Sequence, residues 1–592
     1  MTKTTKRPET RGTTEQAQIT TPPDGGWGWV ITFSSFMISV LVDGTCFSQG
    51  IFFTEFLTYF GQSKSKTSWV GSVLNGSYLT VGPFVGSLTN KYGCRKVAMC
   101  GAVVCSSALF ISTFSPGIEV FTFTYGFLGG IGFGLMYLPA MVMVGYYFAK
   151  KRALATGIAC CGSGIGMFVF APLVEFLLQE YNWKGTTWIM SALILNGILF
   201  SMLYRPLEPS GQQPSIEMET LNSYSTSPNS PETPITISLS PPEDAFSFDE
   251  NGVLLPLPQR SRSYSQSTAD NRIKPVKQSM MRDIAKMAHS QDMSVRLRRP
   301  GQEKTVFLKP LQRKDIFYSG SVMHLQEYIN ASSLADFEKA MIRTPDDNGV
   351  GDADGEDNGG KMPLLSRVVN MIHFVFDPVL LTSPTFLIYG FSCLICMIGF
   401  FVPFMYIPPL AMEQNISPQK AAFLISVIGI SNTVGRVAVG VLSDLPWIDC
   451  LLVNNLALII GGVVTCFVPF YDSYGMLAAY TVVFGLSVAV FVSLRSIIMV
   501  ELMGLDKLTN AFGLVIMCQG ISSFIGAPLA GTIADSFGNY NAAFYLAGAT
   551  FVVGGAVCLP LRKISSLEKR WKAEKERKKH RVPEKEPMVM VK

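Results

Sequence analysis

Apolar residues run along this chain in long stretches almost free of charge, separated by short polar turns in which the charges collect. A membrane-spanning helix needs about 20 mainly apolar residues. Stretches of that length fall near 28–53, 68–89, 97–115, 119–147, 153–179 and 184–204, and a second set near 379–409, 419–443, 447–470, 475–502, 509–534 and 541–561. The pattern predicts an all-α polytopic membrane protein with twelve transmembrane helices in two groups of six, residues 27–206 and 377–562. Between them, 207–376 is rich in Ser, Pro, Asp and Gly and keeps neither a helical nor a strand period. Such a segment buries too little apolar surface to offset its conformational entropy, so a disordered connector is expected. Residues 1–26 and 563–592 read as polar tails. The first lacks the apolar core and small-residue cleavage site of a signal peptide, so the first span is expected to direct insertion.

Charge placement adds an orientation. Lys91, Arg95 and Lys96, then Lys150 to Arg152, then the tail residues Arg562, Lys563, Lys569, Arg570, Lys578 and Lys579 fall on one side, against only Lys64, Lys66, Lys184 and Lys420 on the other. Basic loops stay in the cytoplasm, so both termini and the connector are expected there, with the plasma membrane as the location. The chain is 48% hydrophobic and 15% charged, too little charged surface for a soluble protein of 592 residues. Its net charge of +5 sits in short loops beside apolar segments, which speaks against nucleic-acid binding. Most of the 12 cysteines lie within apolar stretches as small packing residues, the Cys393/Cys396 pair included, and no metal site or cofactor is expected. His289, His324, His373 and His580 all lie outside the spans.

Two features of the connector and tail stand out. Ser227, Ser230, Thr233 and Ser240 each precede Pro, a pattern open to kinases, and the run Arg313 to Ser321 is more apolar than its surroundings, either a docking segment or a free one. The tail alternates Lys/Arg with Glu at helical spacing and is expected to be a solvated, partly helical extension.

Ionisable groups inside spans are costly and therefore informative. Arg436 shares a helix face with Asn432, four residues earlier. Its planar donor fork suits a carboxylate, but an interhelical pair or a snorkelling Arg near a helix end is the alternative. Asp43 lies deep in the first span, Glu175 in the fifth and Glu501 at the end of the tenth. Asp43 has three readings: a proton site, a partner for a neighbouring helix, or a contact for a cationic substrate group. Arg495 reads first as a structural ion-pair member and second as a substrate contact. Phe47, Tyr78, Tyr137, Phe400 and Tyr406 either line a cavity or pack, and Pro139, Pro172, Pro403, Pro408, Pro409 and Pro528 are expected to kink or end helices.

Two motifs go further. Asp24-Gly25-Gly26-Trp27-Gly28-Trp29 opens the first span, and Tyr147 to Gly157, with Lys150 and Arg152, runs on through Gly162-Ser163-Gly164-Ile165-Gly166. Each half also carries a Gly-rich turn, Gly86 to Lys96 with Asn90, and Gly440 to Pro446 with Asp444. The repeated six-span unit resembles the major facilitator superfamily, and the two motifs together resemble its monocarboxylate transporter family over nearly all of both halves. The resemblance implies alternating access around a midplane site, no enzymatic step, and Arg436 as the carboxylate anchor, with Asn432, Asp43 and Phe47 around it. It also implies conformational roles for Asp24, Gly25, Trp27, Lys150, Arg152, Gly162, Gly166 and Asp444. Lactate-carrying relatives use an Asp four residues before that Arg and a Lys late in span one. Here those places hold Asn432 and the Lys-free stretch Cys46-Phe47-Ser48-Gln49. The chain is therefore similar to the branch carrying creatine, carnitine, aromatic amino acids or thyroid hormones. The expected partners are a small carboxylate or zwitterion and the bilayer; lactate-type relatives also need a single-span immunoglobulin-like ancillary protein, a requirement this chain either shares or lacks. Proton-coupled lactate/pyruvate symport and a sensor or scaffold acting through the connector are the alternatives; a channel lacks any visible filter.

Overall fold

The computed structural model describes residues 24–206, 246–248, 254–256, 314–318, 325, 328, 331, 341 and 378–580, apart from Asp444 and Pro446. The first half is built from α1 (Trp27–Phe47), α2 (Gln49–Phe60), α3 (Lys64–Thr80), α4 (Gly82–Tyr92), α5 (Cys94–Ser112), α6 (Ile118–Phe121), a π-helical turn (Thr122–Leu128), α7 (Gly129–Tyr147), α8 (Arg152–Leu195) and α9 (Gly197–Met202). The second half holds α10 (Pro378–Leu381), α11 (Pro384–Phe400), α12 (Val402–Glu413), α13 (Pro418–Leu442), α14 (Cys450–Cys466), α15 (Tyr474–Met503), α16 (Leu508–Phe537), α17 (Asn541–Val557) and α18 (Leu561–His580). Nine stretches among the described residues are long and apolar enough to cross a membrane, and Cys450–Cys466 is a shorter apolar helix. One of the nine, Arg152–Met202, bends at Asn182, whose φ of 57° is a backbone state that Asn tolerates better than most side chains.

In water the apolar face of a helix turns inward; here large apolar side chains also cover the outside. Leu199 is 60% exposed, Val441 66% and Phe470 63%, as expected of helices whose outer solvent is hydrocarbon. The inner contacts instead use small and hydroxylic residues: Ser35 Oγ donates to the Ala140 carbonyl at 2.8 Å, and Ser191 Oγ to the Ser106 carbonyl at 2.9 Å. Pro139, Pro172, Pro408, Pro409 and Pro528 sit inside helices, while Pro403 lies in the first turn of α12, where its missing N–H costs nothing.

The halves meet chiefly along two helix pairs, with α2 against α12 as a third contact. Helix α3 runs beside α16, and α8 beside α13, where a Cβ on Gly164 would lie 2.5 Å from the Gly429 carbonyl. Only glycine permits that approach. At the end of the molecule away from the Lys150 turn, Asp535 accepts from the backbone N–H groups of Lys64 and Ser65, both at 2.9 Å, and Ser65 Oγ meets Thr532 Oγ1 at 2.8 Å. These bonds tie the halves at that end, a carboxylate of one half capping a helix N-terminus of the other.

Two local features add to the sequence reading. Within the connector, Phe246–Phe248 and Leu254–Pro256 pair as antiparallel strands, with Ser247 opposite Leu255. The tail helix α18, expected to be solvated, is docked at its start: Glu568 accepts from Ser383 Oγ at 2.8 Å and from the Thr385 N–H at 3.2 Å at the head of α11. Sequence periodicity showed the helix; the acceptor-seeking N-terminus of α11 fixed where it lies.

Candidate functional site

Arg436 is carried on α13, where it faces α8 of the other half, and is 7% exposed. Its Nε donates to Asn432 Oδ1 at 2.7 Å, the i, i+4 spacing placing both on one face. Nη1 donates to the Cys160 carbonyl at 3.1 Å and Nη2 to Ser163 Oγ at 3.4 Å. One guanidinium thus joins the two halves. Asn432 is fully buried and donates in turn to the Gly485 carbonyl at 3.4 Å.

Asp43, 6% exposed, approaches from α1. Tyr78 donates its hydroxyl to Asp43 Oδ1 at 3.4 Å and stands edge-on to Tyr137, ring centroids 5.5 Å apart. Ser163 interacts with both Asp43 and Arg436, so a hydroxyl stands between the two charges. The other two acids that the sequence offered lie elsewhere. Glu175 accepts from Gln179 at 2.8 Å beside Glu55, in a cleft of the opposite end, and Glu501 pairs with Arg562 at 2.7 Å. Phe47 packs against the second half, 4.6 Å from Phe404 and stacked on Phe401 at 6.0 Å. Of the remaining aromatics, Phe400 joins that cluster, whereas Tyr406 is turned away and donates to the Ala527 carbonyl at 2.9 Å.

Arg495 departs from its expected role. Among the described residues it has no carboxylate partner; Nη1 donates to Gln519 Oε1 at 2.6 Å, and the guanidinium lies over the Phe512 ring, 5.0 Å from its centroid. The side chain is half-buried, with Nε out of reach of solvent.

The two sequence motifs form one knot. Asp24 Oδ1 accepts from the Ala149 N–H at 2.8 Å and the Lys151 N–H at 3.3 Å, and the Asp24 N–H donates to the Tyr147 carbonyl at 3.2 Å. Asp24 and Gly26 hold positive φ of 48° and 55°, the turn that lets the carboxylate double back while Gly25 spans between them. Trp27 Nε1 donates to the Leu203 carbonyl at 3.0 Å, tying the first span to the sixth. Lys150 is exposed, but Arg152 is fully buried, donating to the Phe148 carbonyl at 2.8 Å and to Asp315 Oδ2 at 2.5 Å. Gly162 and Gly166 pack on α1 of their own half, with Cβ positions 2.9 Å from Ser39 Cβ and 2.6 Å from the Val40 carbonyl, while Gly164 between them faces the other half. Asp444 lies outside the described residues. Sequence reasoning named Ser163 and Asp315 only as members of runs and did not find Gln519; a polar residue in an apolar helix was the available signal for the last.

The profile of the Major Facilitator Superfamily matches residues 29–470 and 450–589. Monocarboxylate transporter 14 of Mus musculus is 30% identical over 538 residues, covering 90% of this chain and 89% of its own. Monocarboxylate transporter 9 of Gallus gallus is 27% identical over 540 residues, 91% of this chain and 93% of its own. Monocarboxylate transporter 12 of Xenopus laevis is 27% identical over 537 residues, 90% and 88% respectively.

Proposed function

The chain belongs to the monocarboxylate transporter family of the Major Facilitator Superfamily, and from that premise we propose that it carries a small organic acid or zwitterion across the plasma membrane by facilitative alternating access. It is a membrane transporter and not an enzyme. The observation that carries the reading is Arg436, a buried guanidinium held between the halves by Asn432, the Cys160 carbonyl and Ser163. A fork of donors at that place recognises a carboxylate and senses the rocking of the halves at once. The Lys150 end, with both termini, faces the cytoplasm in this reading, and the end tied by Asp535 faces outward.

The hydrogen bond between Arg436 and Asn432 supports facilitative over proton-coupled transport. Asn432 gives Arg436 an amide oxygen, which accepts the same bond as a carboxylate but binds no proton in the physiological range. Uptake of labelled lactate, creatine, carnitine and aromatic amino acids in cells expressing the chain is the direct test, run at mildly acidic and at neutral external pH. The transported compound is expected to enter at rates within about twofold of each other at the two pH values. Strong acid stimulation of lactate entry would replace this reading with symport, Asp43 then being the proton site.

A further inference from the structure

A second cation, Arg495, lies in the second half without a carboxylate partner among the described residues. Arg436 already spends Nε, Nη1 and Nη2 on protein acceptors, whereas Arg495 spends only Nη1, on a neutral amide. Arg495 Nε and Gln519 Nε2 are both buried, both donors, and both without a hydrogen-bond partner among the described residues, and Gln519 is fully buried. A guanidinium in a low-dielectric interior is expensive unless an anion meets it. Gly520, next to Gln519, packs against Thr80 and Gly76 of α3, the stretch that also carries Tyr78, whose hydroxyl donates to Asp43. We propose that Arg495 with Gln519 is a second substrate-binding point, so that the substrate carries, beside the carboxylate for Arg436, a second hydrogen-bond acceptor. This rests on the carrier reading above and narrows its substrate class.

The test is thermal unfolding of the purified full chain titrated with acetate, which has one acceptor group, and malonate, which has two, at matched ionic strength. Malonate is expected to bind the native chain more tightly than acetate. Arg495→Gln should weaken malonate about tenfold or more and leave acetate unchanged. Arg495→Lys keeps the charge but loses the fork and should fall between. Equal binding of the two acids by the native chain, absence of binding by either, or a malonate preference surviving in Arg495→Gln overturns the proposal. Acetate binding that persists in Arg436→Gln counts instead against the anchor role of Arg436.

An independent observation concerns residues 314–318. Lys314 Nζ pairs with Asp506 Oδ1 at 3.0 Å and Phe317 stacks on Phe512 at 5.0 Å and 17°, both in the second half. Asp315 pairs with Arg152, and the Ile316 carbonyl lies 2.6 Å from the Cβ position of Gly145, both in the first half. The Lys314 N–H also donates to the Met341 carbonyl at 2.9 Å, tying the segment to a buried residue further along. Four consecutive residues thus grip both halves at the end where Lys150 lies. We infer that this segment is a wedge that holds the carrier in one conformation, because the halves cannot rock without releasing one set of grips. Phe512 also carries Arg495, so the wedge touches the second cation through one ring.

Hydrogen exchange of the full chain tests this without a known substrate. The Lys64 and Ser65 amides, bonded to Asp535, report opening of the far end. Lys314→Ala with Phe317→Ala, or Lys314→Ala alone, is expected to speed exchange there, about tenfold for the pair. Exchange equal to the native chain sinks the wedge; measured beside it, substrate uptake tests the carrier reading separately.

Discussion

Replacing Arg436 by alanine is expected to abolish uptake while the protein still reaches the membrane. A bidentate guanidinium–carboxylate contact consists of two charge-assisted hydrogen bonds of about 1.5–3 kcal/mol each. Their loss corresponds to roughly two to four orders of magnitude in binding. The substitution also removes the bonds to Cys160 and Ser163, the polar link between the halves at this level. Packing between α8 and α13 does not depend on them, since Gly164 and Gly429 already lie against each other there. Surface labelling beside uptake separates the two effects: near-native uptake at native surface level would remove Arg436 from the site. Arg436→Lys should recover little, because an ammonium retains charge but not the planar fork.

The second large effect lies at Arg152 and Asp315, both fully buried. Removing one member of a buried pair leaves the other uncompensated, a cost of about 3–5 kcal/mol. Here the cost has an outlet, since the segment bearing Asp315 can leave and let both groups meet water. Arg152→Ala or Asp315→Ala should therefore release residues 314–318 rather than unfold the helices, seen as lost exchange protection over that segment and at Met341. The double substitution Arg152→Met with Asp315→Leu should keep the segment docked, because apolar side chains of similar volume fill the site without a charge to solvate. Release in the double variant as well would show that the ion pair contributes directionality that packing cannot replace. The same logic makes Arg152 differ from Lys150, two residues away and exposed, though both stand in one basic turn of the sequence.

Much of the site was named in the sequence, but its pairings were not. Asp43 was favoured over Glu175 and Glu501 to face the cavity, but its partners were not legible: Tyr78 donates to it from α3, while Glu175 and Glu501 bond Gln179 and Arg562. Arg495 read as an ion-pair member and instead bonds Gln519 and rests on Phe512. The run containing Asp315 was visible as an apolar island in a polar connector, yet nothing in it named Arg152 as the partner. Asp24 and Lys151, 127 residues apart, looked like ends of two motifs and turn out to share a hydrogen bond.

The sequence alone determined the membrane class, the positions of the helices, the basic end and the family. Insertion is decided segment by segment, by transfer of a local apolar stretch and by the charges flanking it, so that information is local in the chain. Which faces of those helices meet was decided by the tertiary structure. In hydrocarbon no apolar stripe marks the inner side of a helix, so association falls to small residues, hydroxyls and a few buried charges whose partners lie far away in sequence. That is why the sequence shows Arg436, Arg495 and Arg152, and only the packed chain shows that one joins the halves, one has no carboxylate partner among the described residues and one holds a segment of the connector.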